Sequence, residues 1–219
     1  MHVFVVPRRW VLWSVAMFVA VFVLGFISKL SPALRFGSLD VALNDAHSPL
    51  ADGLALALDA LDRPLVVAAI LLVVLVVVGL SRGWRRAIAT CVIAGLGWLA
   101  CIPIKAIVAE PRPTLPDLAH PLPVDPSTLS YPSGHVTFAV ALGAALAIAC
   151  TGRRSRAWTA VVAALFAVVV GWSRLYVGVH YLTDVLGAVL TGIAGTLLAA
   201  GLWNLLARRV AKRRAPERP

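Results

Sequence analysis

The chain is poor in charge and in cysteine. Only 14% of its 219 residues are charged, compared with about 25% in an ordinary soluble domain. Three cysteines, Cys91, Cys101 and Cys150, show no CxxC or metal-type spacing and are interpreted as small core residues. With 60% hydrophobic residues and a mean hydropathy of +0.89, a soluble fold would leave too much apolar surface in water. The composition therefore excludes a soluble domain and predicts an integral membrane protein.

Six apolar runs are present, and we predict an all-α, polytopic membrane protein with six transmembrane helices. The runs are Trp10–Ile27, Pro64–Leu80, Ala87–Ile104, Val136–Cys150, Ala157–Trp172 and Val185–Ala207. A spanning helix needs roughly 17–25 residues. The fourth and fifth runs are short, but each adjoins a polar motif that could continue the helix. The first run has 18 residues, longer than the core of about 7–15 in a cleaved signal peptide, so a retained helix is favoured.

Lysine and arginine are distributed unequally between the two sides of the predicted bundle. With six spans, one side receives 14 of the 20 basic residues and only one of the ten acids, Glu217. Because basic loops stay in the cytoplasm, this side and both chain ends are predicted to be cytoplasmic. The net charge of +10 is thus attributed mainly to topology, and no nucleic-acid partner is expected. The basic tail 208–219 suits anionic lipid headgroups.

Two long links lie on the opposite, outward side. The link Lys29–Arg63 contains leucines at helical spacing, with Asp52 and Asp59 on the other face. These leucines are Leu50, Leu54, Leu58 and Leu61. The pattern fits a helix lying in the outer interface or one packed on the end of the bundle, and both remain open. The link Glu110–Tyr131 is rich in proline and is predicted to be a loop. The whole chain, 1–219, is predicted to form one membrane-embedded domain.

Three cations fall at span ends on the side that has few basic residues. Lys105 ends the third span, Arg112 follows seven residues later, and Arg174 lies at the end of the fifth. A single lysine or arginine at a helix end commonly reaches toward the interface. Several that converge at membrane depth indicate function instead. Guanidinium and ammonium groups of this kind bind phosphate oxygens.

Ser133, Gly134 and His135 open the fourth span. A serine immediately before a helix is commonly an N-cap. The same position can also form an anion cradle, in which free helix N–H groups, a glycine and a hydroxyl face the ligand. His135 would then lie beside the bound anion.

His180 and Asp184 are four residues apart at the predicted start of the sixth helix. This spacing puts the two side chains on one helical face. A carboxylate that accepts from one imidazole nitrogen fixes the tautomer and leaves the other nitrogen free to attack. The pair therefore predicts a nucleophilic histidine.

Taken together, these motifs resemble the type 2 phosphatidic acid phosphatase superfamily. These integral-membrane lipid phosphatases are related to bacterial acid phosphatases and vanadium haloperoxidases. The family signature is Lys, six residues, Arg-Pro; then Pro-Ser-Gly-His; then Ser-Arg, five residues, His, three residues, Asp. The chain matches every signature position between residues 105 and 184.

The resemblance implies a six-helix bundle with an acid phosphatase or haloperoxidase-like core and a reaction without metal or cofactor. It implies that His180 forms a phosphohistidine, that Asp184 holds His180, and that His135 protonates the leaving group and then activates water. The implied phosphate-binding residues are Lys105, Arg112, Ser133, Gly134 and Arg174. No cluster of carboxylates that could hold Mg²⁺ is recognised near the motifs.

The expected substrate is a membrane lipid whose headgroup enters an outward-facing site in a bacterial plasma membrane. A polyprenyl diphosphate is favoured. The alternatives are phosphatidic acid, phosphatidylglycerophosphate and diacylglycerol pyrophosphate. A transporter or binding protein for anionic lipids would account for the cations but would not need the His180–Asp184 pair. No inverted pair of broken helices supports it. The oligomeric state is not predicted.

Overall fold

The chain folds into nine α-helices over the part that the structure describes. The computed structural model describes residues 4–31, 38–113, 122, 124 and 129–214. The helices are α1 Trp10–Leu30, α2 Ser38–Asp45, α3 Pro49–Ala57, α4 Pro64–Arg82, α5 Trp84–Leu99, α6 Cys101–Val108, α7 Gly134–Ala149, α8 Arg153–Tyr176 and α9 Leu182–Arg214. A single 3-10 turn, Leu58–Ala60, follows α3, and no strand occurs within these ranges. The predicted all-α fold is confirmed.

Among the described residues, five segments are long and apolar enough to cross a membrane. They are Trp10–Leu30, Pro64–Arg82, Trp84–Val108, Arg153–Tyr176 and Leu182–Arg213. The fifth predicted run is lengthened because α8 continues through the motif residues Ser173 and Arg174. By contrast, α7 has 16 residues, about 24 Å at 1.5 Å per residue, which is shorter than the hydrocarbon core of about 30 Å. The number of six full spans therefore stays a prediction.

Proline and glycine set several helix boundaries. Pro64 occupies the start of α4, where its missing N–H has no helical partner to lose. Gly83 joins α4 to α5 with a φ of 93°, a left-handed value that favours glycine. The third span is interrupted at Ala100, between α5 and α6. Pro103 explains this break, because its ring clashes with the carbonyl of residue i−4, which is Leu99.

The 16-residue apolar helix α7 lies at the centre of the bundle. It packs against α5, α8 and α9, and none of its residues is exposed. Close packing depends on small side chains, because a Cβ at Gly143 would lie 2.3 Å from the Cβ of Ala163 on α8. Small residues at helix interfaces allow this approach in membrane proteins. The first helix, α1, packs along α9 and also contacts α6.

The outer helices expose large apolar side chains on their outward faces. On α4, Leu65 is 85% exposed, Leu72 60% and Val77 59%. A water-soluble monomer rarely shows an apolar surface of this extent. Together with the five apolar spans, this surface identifies a multi-pass membrane protein.

The predicted helix in the first outward link is α3 with the turn that follows it. Ala55 is fully buried and packs with Tyr176 and Val177 near the end of α8. Leu50 and Leu54 remain 85% and 46% exposed. The segment therefore packs on the end of the bundle while two of its leucines face outward. Most of the second link, Glu110–Tyr131, and the last five residues of the basic tail fall outside the described ranges.

Candidate active site

The three sequence motifs meet at one end of the bundle. This end carries the C-terminal ends of α6 and α8 and the N-terminal ends of α7 and α9. The backbone N–H of Ser133 donates to the carbonyl of Asp184 over 3.2 Å, which joins the start of α7 to the start of α9. Residues separated by up to 79 positions in the chain, from Lys105 to Asp184, thus share one location.

His180 and Asp184 form the predicted pair. Nδ1 of His180 lies 3.0 Å from Oδ2 of Asp184, and both residues are buried. The carboxylate is fixed further by the backbone N–H of Tyr181, at 2.9 Å, and by the hydroxyl of Ser130. His180 precedes α9, which begins at Leu182, so the pair spans the helix start. Because Nδ1–H donates to Asp184, the lone pair of Nε2 faces the other way.

The Nε2 atom of His180 faces a guanidinium group. It lies 3.2 Å from Nη1 of Arg112, which also donates to the carbonyl of Val179 over 2.9 Å. Burial lowers the pKa of His180 well below its usual value of 6.5, and the positive charges of Arg112 and Lys105 lower it further. His180 is therefore a neutral imidazole at neutral pH, which is the form that can act as a nucleophile.

The other two predicted cations are held by different partners. Nζ of Lys105 donates to the carbonyl of Leu129 at 2.7 Å and to that of Ser130 at 3.3 Å. Arg174 is fully buried and donates to the carboxylate of Asp59 over 2.7 Å and to the carbonyl of Ala55 over 3.0 Å. A buried guanidinium needs such partners, because an unpaired charge in the interior is costly. Its partners come from α3 and the turn that follows.

Ser133 and Gly134 form the start of α7. Ser133 occupies the N-cap position, but its side chain makes no capping hydrogen bond. Its Oγ atom is buried and has no hydrogen-bond partner among the described residues. At Gly134 a Cβ atom would lie only 2.5 Å from Oδ2 of Asp62. The helix start therefore holds a buried hydroxyl without a partner in the described part of the chain, and a glycine whose backbone lies close to a carboxylate.

His135 follows in the first turn of α7 and is 7% exposed. Its Nε2 atom lies 2.9 Å from the carbonyl of Asp59, 3.1 Å from Oδ1 of Asp62 and 3.5 Å from Nη1 of Arg174. Its Nδ1 atom is buried and has no hydrogen-bond partner in the described part of the chain. Both predicted histidines therefore lie at the same end of the bundle, each with one nitrogen beside a carboxylate.

Sequence reasoning missed three polar residues of this site. Ser130 contacts Asp184, and its position two residues before Pro132 was the only available signal. Asp59 and Asp62 contact Arg174 and His135 from a segment more than 70 residues away in the chain. No motif spacing links such distant segments, so only the fold reveals these contacts.

The structure adds two carboxylates to the site that lie outside the sequence motifs. Asp59 and Asp62 both lie at the site because α3 and its following turn pack over this end of the bundle. Within the described ranges, no group of three or more His, Cys, Asp or Glu side chains is arranged to hold a metal ion.

The chain is similar in sequence to known proteins, but each alignment covers only part of the relative's length. YbjG of Escherichia coli is 38% identical over 84 residues, which make up 38% of this chain and 40% of YbjG. Undecaprenyl-diphosphatase BcrC of Bacillus subtilis is 33% identical over 104 residues, 46% of this chain and 51% of BcrC. The chain therefore spans about half, or less, of the length of these curated relatives.

The fold is similar to that of a solved phosphatase. The crystal structure of a transmembrane PAP2-type phosphatidylglycerolphosphate phosphatase from Bacillus subtilis superposes with a TM-score of 0.70. The superposition covers 94% of this chain and 98% of the other, at 20% identity, so it concerns the fold alone.

A family model covers the region that holds all three motifs. The model of the PAP2 superfamily matches residues 86–208, which are more than half of the chain. The resemblance inferred from the motifs is thus confirmed, and the chain belongs to the PAP2 superfamily.

Proposed function

We propose that this protein is a membrane lipid phosphatase that hydrolyses a lipid phosphate or diphosphate through a phosphohistidine. One observation carries the proposal. The neutral imidazole of His180 is held at Nδ1 by Asp184, and its Nε2 faces the guanidinium of Arg112 at 3.2 Å. An anion-binding group beside an oriented nucleophile is the arrangement that phosphoryl transfer needs.

In the first step, Nε2 of His180 attacks phosphorus and the bond from phosphorus to the leaving oxygen breaks. His135 donates a proton to that oxygen, so the lipid leaves as an alcohol or, from a diphosphate, as a monophosphate. Asp184 stabilises the positive charge that develops on the ring of His180.

In the second step, His135 takes a proton from water as the water oxygen attacks phosphorus. The bond from phosphorus to Nε2 then breaks, which releases inorganic phosphate and regenerates neutral His180. General acid–base catalysis of this kind contributes about 10²–10⁴-fold to the rate.

Charge on the phosphoryl oxygens is matched by the cations and by the start of α7. Arg112, Lys105 and Arg174 supply positive charge, and the free hydroxyl of Ser133 with the Gly134 N–H supplies neutral donors. Phosphoryl transfer depends mainly on positioning and electrostatic stabilisation of this kind.

An apolar groove supports a lipid substrate. It has a volume of about 560 Å³, is floored by α7 and lies between α8 and α9. Its upper end is lined by Trp172, Leu175 and Val185, which neighbour Arg174 and Asp184 in the chain. A hydrocarbon chain in this groove would place its headgroup near the cations.

Among lipids, we favour a polyprenyl diphosphate, and phosphatidylglycerophosphate is the main alternative. The relative BcrC is an undecaprenyl-diphosphatase, whereas another relative, 31% identical over 103 residues, is phosphatidylglycerophosphatase B of Bacillus subtilis. We place the site on the outer face of a bacterial plasma membrane. The links Arg82–Arg86 and Arg153–Arg156, at the opposite end of the bundle, are basic and would be cytoplasmic.

The test is phosphate release by the purified protein from a lipid panel. Undecaprenyl diphosphate, phosphatidylglycerophosphate, phosphatidic acid and diacylglycerol pyrophosphate are compared under the same detergent conditions. We expect the highest kcat/KM with the polyprenyl diphosphate.

The matched control is His180→Ala, which we expect to abolish hydrolysis while leaving a folded membrane protein. Full activity in that variant would exclude covalent catalysis by His180. Binding of the lipids with no phosphate release by the unaltered protein would favour a binding or transport role instead.

A further inference from the structure

The turn between α3 and α4 brings a second carboxylate–histidine pair into the site. Oδ1 of Asp62 lies 3.1 Å from Nε2 of His135. Its other oxygen, Oδ2, lies against Gly134, where a Cβ would be only 2.5 Å away. The side chain of Asp62 is 32% exposed, whereas that of His135 is 9% exposed. The carboxylate thus covers one edge of the imidazole from outside.

The two histidines have the same arrangement with the ring nitrogens exchanged. His180 uses Nδ1 to contact Asp184 and leaves Nε2 for phosphorus. His135 uses Nε2 to contact Asp62 and the carbonyl of Asp59, while its buried Nδ1 lacks a partner among the described residues. The two acceptors lie closer to Nε2 than Nη1 of Arg174 does, at 3.5 Å. This nitrogen therefore carries a proton and donates it, which fixes the orientation of the ring.

We infer that Asp62 is a positioning residue for His135, which orients Nδ1 toward the leaving oxygen and stabilises the positive charge on the ring. This inference rests on the proposed phosphatase function. In the step concerned, the bond from phosphorus to the leaving oxygen breaks and the Nδ1 proton moves to that oxygen. The Nε2 proton stays between His135 and Asp62. When water attacks in the next step, Nδ1 takes up a proton again.

Asp62 has the charge that this role needs. Burial raises the pKa of its carboxyl, but the hydrogen bond and the charge of His135, with Lys105 and Arg174, outweigh burial, so the pKa is lowered overall. Asp62 is therefore ionised at neutral pH. A carboxylate next to an imidazole favours positive charge on the ring.

Asp59 offers a matched control on the same turn. Its carboxylate lies 2.7 Å from Nη1 of Arg174, and only its backbone carbonyl contacts His135. Removal of the Asp59 charge therefore acts on a phosphate-binding cation, which every substrate uses. Removal of the Asp62 charge acts on the proton donor, which matters most when the leaving oxygen is strongly basic.

The experiment compares Asp62→Asn and Asp59→Asn with two substrates of different leaving group. Dodecyl phosphate releases a strongly basic alkoxide, and p-nitrophenyl phosphate releases a weakly basic phenolate. The parameter is kcat/KM, because it includes phosphorylation of the enzyme but not its later hydrolysis. For Asp62→Asn we expect a loss of about 10²-fold with dodecyl phosphate and less than about 10-fold with p-nitrophenyl phosphate. For Asp59→Asn we expect equal losses with both.

Equal losses in Asp62→Asn, or no loss with dodecyl phosphate, would overturn the inference. Asp62→Glu keeps the charge and should recover most of the dodecyl phosphate activity. If Asp62→Asn does not fold, Asp62→Glu decides the question, since an equal loss on both substrates in that variant contradicts the assigned role. If the unaltered protein hydrolyses neither substrate nor any lipid of the panel, the proposed function itself has failed.

Discussion

At the scale of single residues, the site contains two imidazoles in different surroundings. Burial first, and then the charges of Arg112 and Lys105, lower the pKa of His180 and keep it neutral, whereas His135 lies against Asp62. A nucleophile has to be neutral, and a proton donor has to carry the proton that it gives. Each ring has one nitrogen beside a carboxylate, Nδ1 in His180 and Nε2 in His135, so the opposite nitrogen is the one left for the reaction in each case.

The neutral state of His180 leads to a prediction about pH. Burial and then Arg112 are the main causes that lower the pKa of His180, so Arg112→Gln should raise this pKa toward 6.5. Since protonated His180 cannot attack, the acidic limb of kcat/KM should move to higher pH in the variant, on top of a general loss of activity. The measurement is the pH profile of both proteins with one substrate, so the ionisation of the substrate cancels.

Arg63→Gln serves as the control for this shift. Arg63 is an exposed arginine on the same end of the bundle, with 67% of its side chain accessible. We expect its acidic limb to coincide with that of the unaltered protein. An unchanged limb in Arg112→Gln would contradict the electrostatic account of His180.

The eight motif residues could be selected from the sequence because order and spacing within each motif are local, and the roles assigned to them stay predictions. Helical spacing was enough to pair His180 with Asp184, and the position of Ser133 before an apolar run was enough to place it at a helix start. Asp59 and Asp62 could not be predicted in the same way. Their role depends on how α3 packs on α8, and amphipathic spacing alone left that packing open.

At the scale of helices, α7 positions the site and α8 and α9 flank it. Both α8 and α9 contact α7, and the groove between α8 and α9 begins near the site. The sequence indicated each of these helices through its apolar run. The sequence did not indicate the groove. A gap between helices depends on where small side chains of adjacent helices face each other, and this follows only from the packing.

Occupation of the groove by substrate gives a second prediction. Ala164 of α8 lines the groove and is exposed, so Ala164→Trp should block it without disturbing the core. We expect KM to rise about 10-fold or more for a long-chain lipid phosphate. Each CH₂ of the lipid tail that can no longer be buried in the groove removes about 0.8 kcal/mol of binding free energy. The kinetics with p-nitrophenyl phosphate should stay unchanged.

Leu165→Trp is the matched control for this experiment. Leu165 is the next residue of α8 and is 62% exposed, but it does not line the groove. Equal effects of the two tryptophans on the long-chain substrate would mean that the groove does not hold the lipid tail.

At the scale of the whole molecule, the distribution of charge predicts how the bundle is oriented. The basic links lie at the end opposite the site, so a reporter fused after Arg214 should read cytoplasmic, and one placed between α3 and α4 should read external. The measurement uses paired reporters that are active on only one side of the membrane. The reverse pattern would put the site inside and would exclude a substrate of the outer leaflet.

The position of α7 has a consequence for the dependence of the protein on its bilayer. Membranes that are thicker or thinner than a helix force it to tilt or bend. No residue of α7 is fully exposed, although Val140 and Ala144 line the groove, so bilayer lipids contact mainly the surrounding helices and α7 receives this load chiefly through its packing partners. We therefore expect the geometry at the start of α7 to change less with membrane thickness than the tilt of the outer helices does.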